Sequence, residues 1–167
     1  MLILPVTHHP QQQLTDCLPA CAKMLLDYYH VRLPYQQLQR ILKTTSDGTP
    51  FNNLTFLATH GLSIVVANEF DQPMALLEAY IGRSVPVILS VDTAHLPYWI
   101  EATDHAVVVV GINDEFVALF DPWFPDAPKV VERVHVESAW LESAFLYCAI
   151  TKVPVERRWW HRLRFSP

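Results

Sequence analysis

A thiol, an imidazole, a carboxylate and a side-chain amide lie far apart in the sequence, in the order that nucleophilic acyl chemistry uses. Cys17 heads an apolar run, CLPACAKMLLDYY. A thiol at the first position of a helix meets the positive end of the helix dipole and unpaired N–H groups, which favour the nucleophilic thiolate. Free cysteines are more often ordinary buried residues, so position alone does not decide the role of Cys17. Its companions shift the balance. His105 opens the most β-prone run of the chain, HAVVVVGI, directly after the polar stretch EATD, and Asp121 closes the next apolar run, FVALFD. A turn around Asn113-Asp114 folds the two runs into a hairpin and brings His105 and Asp121 to one end. A three-residue connection puts them on one face and a two-residue connection separates them, so the three-residue loop is predicted. An aspartate accepting the Nδ1–H of the histidine would fix its tautomer and leave the other ring nitrogen to take the thiol proton. Asp104 competes for this place, but as the chain neighbour of His105 it points to the opposite face of a strand, and Asp121 is preferred. An amide from Gln11-Gln12-Gln13 could join the Cys17 N–H in holding an oxyanion. A solvated glutamine run is the plain alternative, and composition does not choose between them.

These groups need elements to carry them. The apolar spacing of Ala20, Met24, Leu25 and Tyr28, with Asp16 before the run and Pro19 in its first turn, predicts a buried helix starting at Cys17. Further helices are predicted over Pro34–Leu42 and over Thr49–His60, the latter stopped by Gly61. Beyond Gly61 the pattern turns to strands at Leu62–Ala67, Val85–Val91, His105–Ile112, Glu115–Phe120, Lys129–His135 and Phe145–Thr151. Helices are expected at Pro73–Tyr80 and Val136–Glu142. Helices first and an antiparallel sheet later make an α+β fold rather than a βαβ alternation.

The 167 residues suit one domain that removes about 70% of its unfolded surface from water. A net charge of −5 argues against a nucleic-acid partner, which calls for a basic face. No apolar run reaches the roughly 18 residues of a membrane span, and Met1–Leu4 meets Pro5 without a leader of signal type. A cytoplasmic protein is therefore expected. Its three cysteines are too few for a disulfide scaffold and leave at least one thiol free in a reducing compartment.

The chain resembles the bacteriocin-processing peptidases of the papain-like clan, which cut leader peptides after a double glycine. The resemblance rests on Gln11 six residues before Cys17 within QQQLTDCLPACAKMLLDYY, on DHAVVVVGI with His105, and on FVALFDP with Asp121. It spans about Pro5 to Thr151. It implies a papain-like fold, a Cys-His-Asp triad of Cys17, His105 and Asp121, and Gln11 in the oxyanion hole. The family shows DCG at the nucleophile where this chain has Leu18, a departure that bears on double-glycine specificity more than on the chemistry. The exporter spans and phosphate loop of the best-known members are missing, so the resemblance is to a free-standing relative.

The resulting expectation is a cysteine endopeptidase acting on a peptide or protein through an acyl-enzyme, without metal or cofactor. The alternatives are a catalytically idle peptide-binding module and an acyl transferase using the same thioester. Leu18, Trp99, Asp104 and Trp123 are expected to border the substrate cleft, with Tyr98 and His95 nearby. Cys17, Cys21, His8 and His9 could suggest zinc, but no second pair at ligand spacing follows. Cys21 and Cys148 are expected in the core. The domain is placed at 1–152. Residues 153–167, VPVERRWWHRLRFSP, form a basic, aromatic extension that packs on the body or docks a partner protein.

Overall fold

The computed structural model describes residues 1–124 and 128–153. The expected extension therefore lies outside the described residues beyond Val153. Along the chain run α1 (Cys17–Tyr28), α2 (Tyr35–Ile41), a 3-10 helix (Phe51–His60), β1 (Leu62–Asn68), α3 (Pro73–Gly82) and β2 (Val87–Asp92). A 3-10 turn (Thr93–His95), β3 (Asp104–Ile112), β4 (Phe116–Phe120), β5 (Lys129–Glu132), α4 (Arg133–Leu141) and β6 (Leu146–Lys152) follow. The strands form one antiparallel sheet in the order β1-β6-β2-β3-β4-β5. No helix among the described residues is long and apolar enough to cross a membrane.

α1 is apolar almost all round, the mark of a helix sunk in a core. Leu18, Ala20, Cys21, Ala22, Met24, Leu25 and Leu26 are buried, and each fully buried leucine contributes about 1.5–3 kcal/mol. The helix packs on β3, where the Cys21 thiol donates to the Ala106 carbonyl at 3.3 Å. Cys21 and Cys148 lie in the core as expected. Burial, then Cys17, pushes the Cys21 thiol up, and burial pushes Cys148 up to about 12.

The helix expected over Thr49–His60 is a 3-10 helix that starts at Phe51. Asn53 and Thr55 bond backbone carbonyls of Leu42 and Asn52 with their side chains, an alternative to regular α bonding that such residues offer. Gly61 closes the segment at φ 73°, a left-handed stop that glycine adopts freely. The strand expected to reach His135 ends at Glu132, and α4 begins at Arg133 rather than Val136. Valines at 130, 131, 134 and 136 look β-prone, but Val136, Ala139 and Trp140 share a helical face that is buried. The Arg133 guanidinium also pairs with Glu78 at 2.7 Å.

The β3–β4 hairpin sets the faces of the two groups behind the thiol. Three residues separate the strands, as predicted, yet Asn113 N–H donates to the Phe116 carbonyl and Ile112 faces Val117. The turn itself thus keeps two-residue parity. A bulge between Val109 and Gly111 shifts the register to Val109↔Leu119 and Val108↔Phe120. One residue further, Asp121 falls opposite Val107 and diagonal to His105, on its face.

Candidate active site

A cleft of about 940 Å³ opens between the head of α1 and the start of β3, lined by Cys17 and His105. Cys17 is the first residue of α1, and Asp16 before it makes no side-chain cap. The usual recipients of a cap bond are the second and third helical N–H groups. Here these belong to Leu18, left uncapped, and Pro19, which has none.

His105 is 7% exposed, and its Nε2 lies 2.8 Å from Asp121 Oδ1. The carboxylate therefore takes Nε2, not the expected Nδ1, and leaves Nδ1 for the cleft. Asp121 is diagonal to His105 on the sheet, within reach of the far ring nitrogen. Burial works against protonation of His105, but the bond to Asp121 and then Cys17 outweigh it and raise its pKa from 6.5 to about 9.

Asp121 is 2% exposed and receives four donors. Oδ1 also accepts the Trp123 N–H at 2.9 Å, and Oδ2 accepts the Trp99 indole N–H at 2.8 Å and the Tyr98 hydroxyl at 3.1 Å. Burial opposes the charged form, yet His105, followed by Trp99 and the Trp123 N–H, holds the carboxyl below its usual range. Sequence reasoning placed Trp99 and Tyr98 beside the cleft and missed that they hold Asp121. The available signal was that a buried indole N–H or phenol needs a partner. Thr93 secures their loop: its hydroxyl donates to the Glu101 carbonyl at 2.6 Å and accepts the Thr103 N–H at 2.9 Å.

Gln11 lines the same cleft. An N-terminal strap delivers it: Leu4 N–H bonds Val110, His8 Nε2 bonds the Asp121 carbonyl at 2.9 Å, and the Gln11 N–H bonds the Pro122 carbonyl at 2.9 Å. Its amide NH2 is engaged by the Gln13 carbonyl at 2.7 Å and the Leu14 carbonyl at 3.2 Å, while Oε1 is buried without a partner. An oxyanion would have to draw one N–H away.

Leu18, Trp99, Asp104 and Trp123 all line the cleft. Leu18 is only 3% exposed and belongs mainly to the core beneath, whereas Trp123 is half-exposed and stacks near Trp99. Asp104 is exposed, and the partner of the His105 ring is Asp121. His8 and His9, weighed as metal ligands, are engaged by the Asp121 carbonyl and the Asp27 carboxylate.

The sequence profile of the Peptidase C39 family matches residues 6–151. No curated protein sequence matches the chain. Among solved structures, a C39-like peptidase from Bacillus anthracis is 15% identical, with a TM-score of 0.73, over 90% of this chain and 98% of that one. A double-glycine-motif protease from an AMS/PCAT transporter, solved with its leader peptide, is 17% identical with a TM-score of 0.70 over 90% and 94%. The peptidase domain of Streptococcus ComA is 19% identical with a TM-score of 0.66 over 87% and 96%. At such identities the likeness concerns the fold, which is the expected α+β, papain-like one.

Proposed function

Because the chain belongs to the Peptidase C39 family of cysteine peptidases, we propose that it is an endopeptidase in which Cys17 attacks, His105 shuttles the proton and Asp121 orients His105. The observation that carries this reading is the half-buried Cys17 at the head of α1, lining one cleft with a buried His105 whose far nitrogen is tied to Asp121. The Cys17 sulfur adds to the scissile carbonyl, and the carbonyl oxygen takes the electron pair as an oxyanion. The Cys17 N–H and Gln11 are the donors assigned to it. Collapse breaks the C–N bond, and His105 gives its Nδ1 proton to the departing amine. Water then attacks the thioester, His105 takes the water proton, and C–S cleavage frees the new carboxyl terminus.

The substrate is a peptide, and a leader segment of the kind bound by the transporter protease is the class assigned to it. Leu18, Trp99, Asp104 and Trp123 are its proposed contacts. The engaged Gln11 amide is the observation that favours an idle binding module instead. Mass spectrometry of candidate leader peptides incubated with wild-type and Cys17→Ala protein separates the readings. The proposal expects cleavage by the wild type, none by a folded Cys17→Ala variant, and iodoacetamide labelling of Cys17 ahead of Cys21 and Cys148. Wild-type turnover by the variant refutes it.

A further inference from the structure

Asp16, the residue before the nucleophile, is wholly buried at 0% exposure and is not used as a helix cap. Its Oδ1 accepts the Gln13 N–H at 2.9 Å. Its Oδ2 accepts the Tyr35 hydroxyl at 2.8 Å and the Gln39 amide at 3.2 Å, both from α2. All three donors are neutral, and burying a carboxyl group without a cationic partner costs several kcal/mol before those bonds offset it. Burial, then the bond to Asp16, pushes the Tyr35 phenol well up, so it remains a donor.

Through Asp16 the three bonds tie the loop that carries Gln11 to α2. Asp16 Oδ1 holds the Gln13 peptide by its N–H, and the carbonyl of Gln13 holds Gln11 Nε2 at 2.7 Å. The second Nε2 bond, to Leu14, is longer at 3.2 Å. One hydrogen of the amide is thus firmly seated and the other is loosely placed, so the planar group can keep its orientation while the weaker bond exchanges Leu14 for another acceptor near the same direction. Among the described residues Gln11 Oε1 is buried without a partner, an arrangement that costs about 1–3 kcal/mol.

Resting on the peptidase reading above, we propose that Asp16 is a positioning residue for the oxyanion site, bolting the Gln11–Gln13 loop to α2 so that the Gln11 amide stands ready beside Cys17. The plain alternative is that Asp16 only supports the fold or the nucleophile, and kinetics separate the two. Alkylation by iodoacetamide forms an S–C bond and expels iodide without creating an oxyanion; peptide cleavage creates one.

In Asp16→Asn an NH2 must face either the Gln13 N–H or the Tyr35 and Gln39 donors. The test measures kcat and KM on an internally quenched peptide with Gly-Gly before the cut, chosen because the wild type cleaves it, together with the rate of Cys17 alkylation. Since losing one oxyanion donor costs on the order of 100- to 1,000-fold, misplacing one is expected to lower kcat by about 10- to 100-fold. KM and the alkylation rate are expected to stay within about twofold. Tyr35→Phe, which keeps the carboxyl group and its bond to Gln13, is expected to lower kcat in the same direction by a smaller factor and carries the test if Asp16→Asn does not fold. In a Gln11→Ala background either change is expected to cost nothing further in kcat, because the two residues act as a unit. Alkylation falling in proportion to kcat, additive losses with Gln11→Ala, or variants that match the wild type each overturn the inference alone. A wild type that alkylates but cleaves no peptide overturns the peptidase reading and this inference with it.

Discussion

Asp121→Asn separates an ionic pair from a merely bonded one. In the wild type four donors converge on the two carboxylate oxygens. An asparagine keeps one oxygen and turns an NH2 either on Trp99 and Tyr98 or on His105 and the Trp123 N–H. That mismatch costs about 1–3 kcal/mol at any pH. The ionic part varies with pH, and its sign follows from the shifts. His105 is raised from 6.5 to about 9, so its contribution is complete below 6.5 and is lost as the pH climbs through about 9. Asp121 is lowered from 3.8, so its contribution is complete above 3.8 and is lost as the pH falls through its folded value. Both are in force between about pH 4 and 6.5. The His105 shift corresponds to at most roughly 3 kcal/mol, an upper bound because Cys17 shares in it. Urea unfolding is therefore expected to show Asp121→Asn losing up to roughly 3 kcal/mol more at pH 5.5 than at pH 10. The alkaline limb of turnover is expected to move down from about 9, because loss of the Asp121 charge leaves only Cys17 to oppose the effect of burial on His105 and the limb reports the pair. Equal losses at both pH values, with an unmoved limb, refute the ionic pair.

Gly111→Ala is expected to destabilise by about 1–3 kcal/mol in thermal or urea unfolding, because a Cβ there would come within 2.7 Å of the Leu2 carbonyl oxygen. The strap that carries Gln11 would then loosen, and kcat would fall with stability. Asp47, Glu101, Asp104 and Glu142 line the cleft, and no Lys or Arg is among its described lining residues. A peptide with arginine near the cut is thus expected to show a KM about 3- to 10-fold below its glutamate analogue at low ionic strength, the gap closing by roughly 0.5 M salt. A gap indifferent to salt contradicts that account.

Much of this site was legible from local pattern. The helix at Cys17 follows from apolar spacing, and the strands leading from His105 and into Asp121 follow from β-branched runs between polar turns. Their common face was also foreseen, but by loop length, whereas the parity comes from the bulge at Val109/Gly111. A glycine inside a strand pattern hints at a bulge without stating which way the register shifts. Which imidazole nitrogen meets Asp121 depends on a ring rotation that no spacing encodes. The bonds of Asp16 to Tyr35 and Gln39 join segments whose contact exists only after folding. The 3-10 character of Phe51–His60 and the early start of α4 are cases where side-chain bonding and burial overrode the propensity of single residues.

The sealing of Asp121 governs how protons travel. With its oxygens saturated by the surrounding donors and its His105 partner nearly out of water, the rear of the ring offers no exchange route to solvent. Traffic would then use the other ring nitrogen, on the side where the proposed peptide substrate would lie. An occupied cleft would therefore trap the imidazolium proton until the leaving amine collects it. On the proposed mechanism, water would reach the same nitrogen only after that fragment departs.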